Sequence, residues 1–84
     1  MHVSAPLSAS AVVVSRAEAG WTDPAHPAPA RRLMVLAAGA AEITAGGETR
    51  RFETGAVVLV EDTEGADHAT TILEDGYIVA VRLA

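Results

Sequence analysis

The chain has no cysteine and no lysine. The first absence excludes disulfides and thiolate metal sites, and leaves no redox compartment to infer. The second leaves six arginines as the basic side chains, against eleven carboxylates, for a formal net charge of −5. Phosphate backbones need a basic surface, so nucleic acid is excluded as a partner. Aromatics make up only 4% of residues although half are hydrophobic. The core must therefore be built from small side chains such as Ala and Val, each making weak contacts. No run approaches the roughly 18 apolar residues of a membrane helix, so no membrane partner is expected. No phosphate-binding loop, dinucleotide fingerprint or G-x-S-x-G elbow is present, which removes support for nucleotide-triphosphatase, dehydrogenase and common hydrolase functions. The stretch "SAPLSASAVVVSRAEAG" lacks a basic start and is interrupted by serine. It does not read as a signal peptide, and a soluble cytoplasmic protein is expected. The Ala-, Gly- and Arg-rich, lysine-free composition is that of a GC-rich bacterial genome.

With 84 residues the chain reads as one domain, 1–84, with residues 1–10 small, polar and frayed. Domains of this size are marginal alone, so a partner subunit is expected, a homodimer above all.

What is present is a series of short apolar runs separated by turn signals. "AVVVS" (11–15), "RRLMVLA" (31–37), "AAEITA" (40–45), "ETRRF" (48–52), "AVVLVE" (56–61), "HATTIL" (68–73) and "YIVAVRL" (77–83) read as strands. "AG" at 38–39, "AGG" at 45–47, "TG" at 54–55, "TEGAD" at 63–67 and "EDG" at 74–76 read as the turns between them. Pro24, Pro27 and Pro29 rule out a helix over that segment and predict extended chain. No stretch carries a helical period. The fold class expected is all-β, an antiparallel sandwich or barrel. Period-2 alternation sets Arg32, Met34 and Leu36 on one face of their strand, and Arg31, Leu33 and Val35 on the other. Which face turns inward is open at this level. "AVVLVE" is apolar on both faces, which predicts a strand covered on both sides.

The spacing of glycine and histidine resembles the cupins, small jelly-roll β-barrels. Their first motif is G-x5-H-x-H-x3,4-E-x6-G. Here Gly20, His26 and Gly39 fall in register, but Ala28 stands at the second histidine and Arg32 at the glutamate. The second motif, G-x5-P-x-G-x2-H-x3-N, is met by Gly55, Gly65 and His68, with two extra residues before Gly65 and Ile72 at the asparagine. "GETRRFETGAVVLVEDTEGADH" is similar to a run in small bacterial cupins, with Ala56 at that run's aspartate. The chain is shorter than a typical cupin domain, and open strand edges in a pared-down barrel are suited to a homodimer.

The resemblance implies a barrel cavity, and these departures imply that its metal is lost. Only His26 and His68 remain at ligand positions, and a permanent cation at Arg32 disfavours a divalent ion. Weak divalent binding through the two histidines, with Glu42 or Asp67 assisting, stays open. A metal-free pocket would use Arg32 to hold a carboxylate or developing oxyanion, and His68 and His26 to move protons. Trp21, Met34, Ile43 and Val58 are the expected substrate-binding walls. The implied activity is isomerisation, dehydration or cyclisation of a small carbonyl- or carboxylate-bearing metabolite. A non-catalytic small-molecule-binding module and a metal-binding cupin, dioxygenase- or isomerase-like, are the alternatives. Simpler roles also exist: Arg32 on the outer face paired with Glu42 or Glu48, Trp21 as a core plug, His26 as a loop histidine. Arg50 and Arg51 read as edge-strand charges, and the acidic run Glu61, Asp62, Glu64, Asp67 as a solvated loop rather than a calcium site.

Overall fold

The computed structural model describes residues 1–26, 31–61 and 68–84, with the side chains of residues 24–26 outside that description. Six strands form one antiparallel sheet: β1 (Ala9–Ala17), β2 (Thr22–His26), β3 (Arg32–Ala45), β4 (Glu48–Glu53), β5 (Val57–Val60) and β6 (His68–Leu83). The all-β expectation holds, and the proline-bearing segment is extended as β2. Pro27 and Pro29 lie outside the described residues, as does the turn expected at 63–67.

Two expected turns are not turns. "AG" at 38–39 lies inside β3 and "EDG" at 74–76 lies inside β6, so four short runs are two long strands of 14 and 16 residues. The register between β3 and β6 shifts repeatedly between Leu36 and Ala41. Such bulges bend a strand without ending it. Gly39 adopts a φ of 98°, a conformation that side chains disfavour. Opposite it, a Cβ on Gly76 would run into the carbonyl of Ala38. The Thr54 hydroxyl reinforces this crease. It accepts from Gly39 N–H and donates to Gly39 C=O, both at 3.1 Å.

The crease divides the sheet into two leaves. In the first, β1 and residues 32–36 of β3 flank residues 78–83 of β6, and β5 extends β3. In the second, β2 and residues 40–45 of β3 flank residues 68–74 of β6, and β4 extends β3. Leu36, Ala41 and Ile72 are buried where the leaves meet, with Ala17, Phe52, Ala56 and Ile78 packed against them. The core is as sparing as the composition predicts, Ile72 being its largest fully buried side chain.

β5 corrects a further expectation. Its burial alternates, Val58 and Val60 half-buried and Val57 and Leu59 exposed. It is covered on one side only.

Candidate functional site

Period 2 decides which side chains enter the space between the leaves. On the first leaf, Ala11, Arg82, Arg32 and Val60 are successive cross-strand partners, and Val13, Ala80, Met34 and Val58 form the next row. On the second leaf, Asp23, Thr70 and Ile43 make one row, and His68 and Ala45 are paired in another. These rows bound a cavity of about 1000 Å³ lined by Arg32, Arg82, Met34, His68, Thr70 and Trp21 among others. A smaller cavity of about 250 Å³ shares Met34, His68 and Thr70 and adds Ile43 and Val58.

Each expected site residue can now be located. Arg32 and Met34 lie on the inward face, so the outer-face alternative for Arg32, with Glu42 or Glu48 as partner, is corrected. Glu42 sits opposite Thr71 and Arg51 on the other side of the sheet. His68 is only 7% exposed. Trp21 lines the large cavity but is 55% exposed, a wall at the rim rather than a core plug. Its position follows from the backbone: Gly20 N–H donates to Ile72 C=O and Ile72 N–H to Trp21 C=O, both at 2.8 Å. Ala19 N–H donates to the Asp75 carboxylate at 2.8 Å and anchors the same loop. Ile43 and Val58 line the smaller cavity, not the larger one. The backbone of His26 is paired with that of His68; the His26 side chain, Ala28 and Asp67 lie outside the described residues.

Four charged lining residues were missed from the sequence: Arg82, Arg16, Glu18 and Asp23. Arg82 had a legible signal. In "YIVAVRL" it shares its parity with Ile78 and Ala80, so it enters the cavity if they do. The consequence is electrostatic. Arg32 and Arg82 are direct cross-strand partners on the cavity face, where side chains originate about 5 Å apart and like charges repel. Arg32 Nε is buried with no hydrogen-bond partner among the described residues. A buried donor in that state costs about 1–3 kcal/mol relative to one that is matched. Among the described residues, no three His, Cys, Asp or Glu side chains gather as a metal-ligand group. The described acidic residues on the large cavity's lining are Glu18 and Asp23, while Glu61, which accepts from Arg31 at 2.9 Å, lines the smaller one.

No family model matches the chain, and no curated protein matches it in sequence. Solved structures do. The conserved protein SPY1581 of unknown function from Streptococcus pyogenes is similar at a TM-score of 0.74 and 25% identity, over 86% of this chain and 61% of that one. KdgF from Halomonas sp. is similar at 0.72 and 20% identity, over 86% and 66%. A cupin-2 domain containing protein from Shewanella frigidimarina is similar at 0.71 and 15% identity, over 100% and 83%. The chain thus spans less than two thirds of the length of the first two. Two creased leaves joined by long shared strands, a cavity between them and these neighbours agree: the chain is a small cupin-fold protein of the jelly-roll type.

Proposed function

We propose that the cavity binds a small metabolite through a carboxylate or a carbonyl, without a resident metal, and that the protein is an isomerase, dehydratase or cyclase acting on it. One observation carries this reading: two arginines sit side by side on the cavity wall, and one presents a buried, unmatched Nε–H. An anion between them removes the like-charge repulsion and satisfies that donor. Charge-assisted hydrogen bonds to a planar guanidinium suit a carboxylate or an enolate.

The donor set does not fit a divalent cation. At the four cupin ligand positions stand His26, Ala28, Arg32 and His68, and the guanidinium of Arg32 lies on the cavity side. Its positive charge opposes a metal there. In the metal-free reaction, His68 takes a proton from the carbon next to the substrate carbonyl. The charge moves onto the carbonyl oxygen, where Arg32 and Arg82 hold it, and the proton returns at a different carbon. The apolar wall of Met34, Ile78 and Ala80 excludes water from the intermediate.

Two measurements test the reading. Elemental analysis after incubation with iron, zinc, manganese and nickel should find no stoichiometric metal; a tightly held equivalent would overturn it. Calorimetric titration against carboxylates and their uncharged amides should show binding of the acids alone. Arg32→Gln and Arg82→Gln should each weaken that binding by about 1.5–3 kcal/mol. Arg32→Gln also separates catalysis from binding alone. Turnover lost by a factor of about 10²–10³ with ligand still bound marks an oxyanion-holding residue. Binding lost, with no turnover in the parent protein, marks a carrier or sensor module.

A further inference from the structure

The two cavities between the leaves meet at a waist, because Met34, His68 and Thr70 line both of them. From that waist the strand rows run on in opposite directions. Toward β6 and β1, Arg32 is followed by Arg82 and Ala11, and Met34 by Ala80 and Val13. Toward β5, Arg32 is followed by Val60 and Met34 by Val58. On the second leaf, Thr70 is followed by Ile43 and His68 by Ala45. Val58, Val60, Ile43 and Ala45 all line the smaller cavity, and none of them has a polar side chain. Leu59 and Glu61 line it too, but with the outward parity of β5. Leu59 is 49% exposed, and the Glu61 carboxylate is taken by Arg31 at 2.9 Å. The inward arginines thus lie on one side of the waist, and hydrocarbon lies on the other.

We propose that the smaller cavity is a specificity pocket for an apolar branch of the same molecule whose anionic group lies between Arg32 and Arg82. The substrate class is then a carboxylic acid with a small alkyl or aryl branch on the carbon that faces His68. The pocket presupposes the anion site proposed for the larger cavity, and adds what that anion is attached to. Its size suits such a branch. At about 250 Å³ it exceeds the roughly 150 Å³ that holds a benzene ring among aliphatic side chains. Each methylene buried against its walls strengthens binding roughly fourfold. The waist fixes where the branch must leave the acid. His68 is only 7% exposed and lines both cavities, so it meets the carbon at which the two arms of the molecule join. The proton that His68 moves is the one on that carbon. Met34, unbranched and flexible, suits a waist that admits branches of different shape.

Two isomeric acids test the pocket. Hexanoate and 2-ethylbutanoate have the same atoms and the same charge, and differ only in branching. Calorimetric titration should show 2-ethylbutanoate binding about tenfold more tightly, because two more carbons are buried beyond the waist. Val58→Phe fills the smaller cavity from β5. It should bring the two acids level by weakening 2-ethylbutanoate, with hexanoate unchanged. If Val58→Phe does not fold, methyl NMR on the parent protein decides instead. There 2-ethylbutanoate should shift the Val58 and Ile43 methyl signals together with those of Ile78, whereas hexanoate should shift Ile78 alone. Equal affinity for the two isomers in the parent protein overturns the pocket and leaves the anion site standing. A preference that survives Val58→Phe does the same. Failure of both acids to bind overturns the pocket and the anion site together.

Discussion

The same two strands, β3 and β6, build both leaves, yet the outer sides of the leaves have opposite chemistry. Outside the first leaf, the rows read Val12, Val81, Leu33, Leu59 and Val14, Val79, Val35, Val57. Outside the second, they read Thr22, Thr71, Glu42, Arg51 and Ala69, Thr44, Thr49. There Thr44 and Thr49 share a hydrogen bond across the strands at 2.7 Å, and Arg51 donates to Glu53 at 2.6 Å. The Glu53 hydrogen bond and charge hold the Arg51 guanidinium above its ordinary pKa. A half-solvated antiparallel sheet alternates apolar inside with polar outside, and the second leaf obeys that rule. The first leaf breaks it over four strands in register. The strands and their pairing are common to both, so the difference lies in side-chain choice: the second leaf presents polar groups outward, and the first leaves aliphatic side chains exposed.

That contrast can be broken or sharpened by substitution. The largest effect is expected at the crease that separates the leaves. Gly76→Ala drives a methyl into the Ala38 carbonyl, where only backbone can give way. It should cost about 3 kcal/mol or more and be seen as insoluble expression or a collapsed denaturation midpoint. Ile72→Ala, at the largest fully buried side chain among the described residues, should cost about 2–5 kcal/mol in urea unfolding. Thr54→Val removes both hydroxyl hydrogen bonds to Gly39 and should cost about 1 kcal/mol by the same assay. The two outer sides are then compared directly. Val79→Thr should destabilise the protein by more than about 1 kcal/mol if the face is covered, whereas Thr71→Val should stay within about 0.5 kcal/mol. Equal small effects would mean that both sides face water. Arg51→Gln, exposed on the polar leaf, should leave the unfolding midpoint unchanged, because solvent-exposed ion pairs contribute little.

Much of this was legible in the residues. Short runs between turn signals located β1, β3, β4, β5 and β6, the prolines marked β2 only as extended chain, and Arg32, Met34, His68 and Trp21 are legible as cavity-lining candidates. Two glycine signals misled in an instructive way. "AG" at 38–39 and "EDG" at 74–76 carry the marks of turns, because a turn and a bulge ask the same thing of glycine: a positive φ or room for a close approach. Only the strand lying opposite distinguishes them, and here Gly39 and Gly76 lie against each other's strands. Arg82 was missed because parity groups it with Ile78 and Ala80 but does not say which face of that run turns inward. "AVVLVE" was apolar on both faces as read, but coverage on both sides is not found within one chain.

By itself the sequence determined the all-β class, the strand periodicity, the lack of thiols and of a basic surface, and the glycine and histidine spacing that resembles a cupin. These are local properties, carried by neighbours a few residues apart. Tertiary structure alone decided that four runs are two creased strands, that Arg32 faces inward beside Arg82, and that eight aliphatic side chains from four strands align on one open face. Each of those is a cross-strand relation between residues distant in sequence. Period 2 fixes parity within a strand, but only register and packing say which parity meets a cavity, a solvent or a partner.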